Sequence, residues 1–139
     1  MIAPRRQGGI ALIEAIVAVV LLGIGLLGAV GMQARTMSAL ADTDRRAQAT
    51  LAAESLLGTM AVDVANASDY ALVAGGTPSA RLLPWYNDAT TNKVPGAQIT
   101  IGVVPAGNRT QVTVDIKWTR KDDGPENKYH VVTFLSAAA

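Results

Sequence analysis

Apolar side chains follow three different rhythms along this chain. From Ile10 to Met32 they run almost without interruption, and Glu14 is the one charged side chain among them. As a helix at about 1.5 Å per residue, that run is roughly 34 Å long, enough to cross the hydrocarbon core of a bilayer. From Gln33 onward charges enter but no helix breaker does. Met37, Leu40, Ala47 and Leu51 recur at helical spacing, with Arg35, Asp42 and Arg46 opposite, and Asp42 can pair with Arg45 or Arg46 one turn on. Past Glu54 the apolar positions move round to Leu56, Leu57, Met60 and Val64. The pattern predicts one helix over about 10–64, apolar in its first half and amphipathic in its second. The stripe Met37, Leu40, Ala47, Leu51 is expected to be a core face. Asn66-Ala67-Ser68-Asp69 then supplies turn-forming residues.

The third rhythm is alternation. Ile99, Ile101 and Val103 alternate with Gln98, Thr100 and Gly102, and Pro105-Ala106-Gly107-Asn108 reads as a turn. Val112, Val114, Ile116 and Trp118 alternate with Thr113, Asp115, Lys117 and Thr119, the pattern of a half-buried strand. After a charged turn over 120–127, Tyr129, Val131, Thr133 and Leu135 alternate with His130, Val132 and Phe134. Between helix and strands lies a loop of about 25 residues, 70–95, with at most a short helical turn. Its Trp85 and Tyr86 either form an exposed contact patch or pin the loop to the core. The expected fold is α+β: a long N-terminal helix packed on a small antiparallel sheet of three strands, whose apolar face the amphipathic half-helix covers.

Charge changes the picture at the N-terminus. Arg5 and Arg6 precede the apolar run, and the positive-inside bias assigns residues 1–9 to the cytoplasm and the rest to export. The 12 basic and 11 acidic side chains give +1, and removing Arg5 and Arg6 leaves 10 against 11, or −1. No basic patch suggests nucleic acid. An ordinary secretory signal peptide would have a shorter apolar region closed by a small-residue cleavage site, and this run continues well past Glu14. The chain has no cysteine, so an exported head must hold together by packing alone. Glu14 is the anomaly, because a lone carboxylate in an apolar helix costs a few kcal/mol. It is protonated, sits near the interface, or finds a cationic partner.

A short basic leader, Gly9, Ile10, and then Glu14 at the opening of an apolar helix together resemble the class III signal of type IV prepilins. The resemblance implies that a prepilin peptidase cuts between Gly9 and Ile10 and methylates the new amine of Ile10. It also implies that Glu14 recruits neighbouring subunits during assembly. Ile10 departs from the phenylalanine most frequent there. The stretch Ile24–Gln33 is similar to the PilV group of minor pilins. Minor pilins of that type prime assembly with other minor and major pilins, and with the pilus assembly machinery, and contribute to the tip complex. The implied organisation is a leader over 1–9, a transmembrane and assembly segment over 10–32, and a periplasmic head over 33–139. The protein would be held in the inner membrane and then carried into the pilus. Gly23, Gly25, Gly28 and Gly31 soften the helix, which in this family unwinds locally within filaments; close packing against any partner helix explains them equally.

The remaining chemistry is sparse. His130, the only histidine, stands in a plain strand with no partner suggested for nucleophilic catalysis. Asp122-Asp123-Gly124-Pro125-Glu126-Asn127 offers oxygen ligands but lacks the spacing of a twelve-residue calcium loop, and a solvated turn is the simpler reading. No catalytic, cofactor or metal site is expected. Two other readings compete: a minor pseudopilin of type II secretion, and a membrane-anchored periplasmic binding module that never polymerises.

Overall fold

The computed structural model describes residues 8–119 and 125–136. Its elements are helix α1 (Gly8–Val62), a 3-10 helix (Val64–Tyr70), helix α2 (Leu83–Asp88) running into a π-helical turn (Ala89–Lys93), and strands β1 (Gln98–Ala106), β2 (Arg109–Thr119) and β3 (Glu126–Leu135). The chain divides into two compact units at Asp42 and Thr43.

The first unit contains no described structure but helix. Its large apolar side chains from Ile10 to Leu40 are all exposed. One window within Gly9–Val62 has the length and composition to cross a membrane. Such a surface is stable in water only when something apolar covers it.

The second unit is two layers. Three strands form an antiparallel sheet in the order β1-β2-β3, each pairing only with its sequence neighbour. Inward-pointing Ile99, Ile101, Val112, Val114, Ile116, Trp118 and Leu135 join Ala49, Ala52, Ala53, Leu56 and Met60 of α1 in one core. No polar side chain is buried among the described residues. The alternation of β2 therefore reads out directly as burial, with every second residue from Val112 to Trp118 inside.

The helix face differs from the one expected. Met37, Leu40, Ala47 and Leu51 are all exposed, Met37 at 74% and Leu51 at 53%. The buried face is Ala49, Ala52, Ala53, Leu56 and Met60. The reason is steric: the helix can present small alanines on this face because the bulk of the layer comes from Leu56 and Met60 and from Val112, Val114, Ile116 and Trp118 of the sheet. Leu56 and Met60 behave as expected, and Leu57 and Val64 pack against the core from its margin.

Two further boundaries shift. The β1–β2 turn tightens to Gly107-Asn108, because Ala106 pairs with Arg109 and Gly107 takes φ 68°, which glycine adopts without strain. The 70–95 segment carries more helix than one turn, over 83–93. Pro84 suits the first turn of α2. Trp85 Nε1 donates to the Ala52 carbonyl at 3.0 Å, and both Trp85 and Tyr86 pack on the core, so this pair pins the loop. Leu72 adds a two-bond antiparallel bridge to Ile101 at 2.9 and 2.8 Å.

A polar hub at the end of α1 holds the same loop. Asp63 accepts from Asn66 Nδ2 at 2.6 Å, from the Tyr70 hydroxyl at 3.0 Å and from Arg81 Nη1 at 2.8 Å. Arg81 Nε also reaches Asp69 at 3.3 Å. The Asn66 hydrogen bond, opposed by burial and helped by Tyr70 and Arg81, holds the Asp63 carboxyl below the usual carboxylate range.

Two outcomes are expected for a fragment beginning at Gln33, followed by urea unfolding. It should unfold cooperatively, and Trp118→Ala should cost about 3–5 kcal/mol. Trp118 is 2% exposed and its Nε1 has no acceptor among the described residues, so Trp118→Phe should be far milder. Equal losses in the two variants would contradict burial of the ring as the source of stability. The second outcome concerns acid. Because the folded pKa of Asp63 is depressed, its contribution is complete above the unfolded value of about 3.9 and is lost as pH falls through the lower folded value. The stability gap between wild type and Asp63→Asn should be constant near neutrality and shrink below about pH 4. A gap that stays constant down to pH 2 would remove Asp63 from this role.

Candidate assembly site at the helix N-terminus

The residues singled out at the N-terminus lie at the start of α1. The peptide bond between Gly9 and Ile10 lies within the described helix α1. Gly9 is exposed, and a Cβ built there would meet nothing within 4 Å. Any need for glycine at this position thus comes from whatever handles the chain, since the fold itself leaves room. Ile10 is 69% exposed. Arg5 and Arg6 lie outside the described residues.

Glu14 is four residues on, on the same side of the helix as Ile10. It is exposed, and among the described residues it has neither a hydrogen bond nor an ion pair. Its neighbours Leu12, Ile13, Ile16 and Val17 are apolar and also exposed. A cationic partner for this carboxylate therefore has to come from outside this helix.

Helix α1 is unbroken through Gly23, Gly25, Gly28 and Gly31. A Cβ at any of them would meet nothing within 4 Å. Gly25, Gly28 and Gly31 follow at three-residue spacing and form a smooth band along one side, with Gly23 off it. Such a band lets another helix approach closely.

Elsewhere, His130 stands on the outer face of the sheet opposite Asp115. Asp115 Oδ1 contacts His130 Nδ1 at 2.9 Å and accepts from Lys128 Nζ at 3.1 Å. Burial pushes the Asp115 carboxyl up, but the bonds from His130 and Lys128 outweigh it and hold it below the usual range. The cluster is an ion-pair network that ties β2 to β3. No group of three potential metal ligands occurs among the described residues. The oxygen-rich turn at Asp122, Asp123 and Gly124 lies outside them.

Two features escape the sequence reading. One is the Asp63 hub, whose only local signal is Asn66 three residues on. The other is the apolar character of the outer sheet face, where Val132 and Phe134 are exposed. The parity of β3 contains that signal, since Phe134 alternates in step with Lys128 and His130 rather than with Tyr129 and Leu135.

No curated protein and no solved structure matches the chain. Residues 4–30 match the prokaryotic N-terminal methylation motif, and this class III prepilin signal, at the head of a long apolar helix whose far end packs on an antiparallel sheet, supports a type IV pilin-like protein.

Proposed function

We propose that the chain is a minor pilin of the PilV type. In this reading the precursor sits in the inner membrane with residues 1–9 in the cytoplasm and its head in the periplasm. Prepilin peptidase cuts after Gly9 and methylates Ile10, and the mature subunit joins other pilins in a filament that it helps to prime or cap. The observation that carries this is the coincidence of the methylation motif over 4–30 with a run of α1, Ile10 to Met32, whose large apolar side chains are bare and whose one carboxylate, Glu14, lacks a partner among the described residues. A membrane satisfies the apolar surface alone. A bundle of like subunits satisfies the surface and the carboxylate together.

The physics of the acid explains why. Removing the leader leaves a positive amine at Ile10, about 6 Å along the helix from Glu14. A neighbouring subunit presents its own amine to this carboxylate. In a low-dielectric setting the attraction is much stronger than in water, and each charge relieves the burial of the other. Deleting one member leaves the other buried and unpaired, a penalty of about 3–5 kcal/mol. The glycine band from Gly25 to Gly31 gives the neighbour room to approach.

Two variants test the reading. Gly9→Val should accumulate as uncut precursor, because a side chain before the cut intrudes on the peptidase site. Mass spectrometry of membrane-extracted protein measures this, and a mature N-terminus beginning at Ile10 would sink the assignment of the cut. Glu14→Ala should be cleaved and inserted normally yet be missing from sheared pili, with Glu14→Asp intermediate because it keeps the charge and shortens the reach. Glu14→Ala at wild-type level in sheared filaments would reduce the carboxylate to a tolerated residue. A deletion strain that keeps its pili and loses secretion would instead identify a pseudopilin.

A further inference from the structure

The bond assigned to the peptidase is held in a conformation that resists cutting. Gly8, Gly9 and Ile10 are all α-helical. In an α-helix each carbonyl accepts from the N–H four residues on, so the Gly9 carbonyl is engaged by the Ile13 N–H. Hydrolysis needs that carbonyl carbon open to the attacking water and its oxygen free for donors that stabilise the developing charge. Neither condition is met while the turn is wound around it. The chain from Gly8 to about Ile13 therefore has to unwind before the cut, and the ease of unwinding enters the rate.

The residues at the bond are the ones that make unwinding easy. Gly8 and Gly9 stand together, and the next glycine is Gly23. A glycine in a helix favours the unwound chain about fivefold relative to alanine, because it has more conformations to regain. Ile10, across the bond, is β-branched and a weaker helix former than alanine. The fold itself does not call for this doublet. Both glycines are helical, so neither supplies a backbone angle that only glycine reaches. A Cβ at Gly9 would meet nothing within 4 Å.

We infer that Gly8 is a positioning residue for the cut, setting how often the turn that contains the Gly9–Ile10 bond stands open. This rests on the peptidase reading above and deepens it, since the enzyme then selects a helix that opens at its glycine doublet. The two glycines act differently. Gly9 enters the peptidase site, where a side chain intrudes, and Gly8 acts through the conformation of its neighbour. In the opened turn water adds to the Gly9 carbonyl carbon and the C–N bond to Ile10 breaks. The products are a Gly9 carboxylate and an Ile10 amine, which takes up a proton. The doublet also confines the opening. Backbone groups freed deeper in the apolar run would find no water to bond, and the stretch from Ile10 to Leu22 has no glycine to loosen it.

Rank order tests this, using full-length precursor variants in detergent with purified prepilin peptidase, the products followed by mass spectrometry. Alanine is small and the best helix former, whereas asparagine is larger and a poor one. Gly8→Ala should lower kcat/KM about fivefold, and Gly8→Asn should stay within about twofold of the wild type. A subsite that only crowds the position gives the reverse order, with Gly8→Asn slower than Gly8→Ala, and that order overturns the inference. Equal rates in all three chains overturn it too. Rescue gives a second readout that crowding would not produce. Ala11→Gly loosens the same turn from the far side of the bond, so the double variant with Gly8→Ala should recover most of the lost rate. A double variant no faster than Gly8→Ala overturns the inference. Both positions lie in the first unit, outside the core of the head, so the head is untouched. A wild-type precursor left uncut between Gly9 and Ile10, by enzyme that cuts another prepilin, overturns the peptidase reading and this inference with it. Wild type cut with the reverse rank order overturns this inference alone.

Discussion

The head depends on one core, in which the alanine-rich face of α1 is buried together with the inward side chains of the sheet. Ala49, Ala52 and Ala53 contribute little apolar area of their own. They leave the space of the layer to Leu56, Met60, Val112, Val114, Ile116 and Trp118, which share the core with them. Everything else in the unit is fastened to that core. Trp85 reaches the Ala52 carbonyl, Leu72 extends the sheet at Ile101, and Asp63 gathers three donors just past the end of the helix. With no cysteine available, these attachments stand in for the covalent closure that small exported domains commonly use.

A helix that spends one face on the head and leaves its others bare is unfinished alone. From Ile10 to Leu40 its large apolar side chains are exposed, and Glu14 lacks a partner within the described chain. Both deficits are resolved by the same event, the arrival of other helices. The N-terminal methylation motif is consistent with a protein made to be stored in a membrane and then passed to an assembly.

Much of this was legible in the residues. Alternation in β2 specified its buried side because strand periodicity allows no ambiguity once one face is apolar. The apolar run announced the bare helix of the first unit, which has the length and composition to cross a membrane. The amphipathic half of α1 misleads because pattern reading weights large side chains, and Met37, Leu40 and Leu51 outvote three alanines. Close packing reverses that vote, since a helix pressed against a sheet favours what is small. The Asp63 hub was hidden for another reason: its partner Arg81 is distant in sequence, and only the folded loop brings the two together. The helical turns over 83–93 follow from short-range bonds, with Asn92 on Asp88 and Thr90 on the Tyr86 carbonyl. Composition alone reads those residues as loop.

The nearest-neighbour order of the sheet bears on how the head comes to exist. β1, β2 and β3 each pair with the strand next in sequence, and the first hairpin closes through Gly107 and Asn108. Such a meander requires only short loop closures, and low contact order goes with fast folding. The helix that covers the meander lies far earlier in the chain, so Leu56 and Met60 join Val112, Val114, Ile116 and Trp118 only across a long loop closure. By topology the meander is the local part of the head, and its joining to α1 is the non-local part.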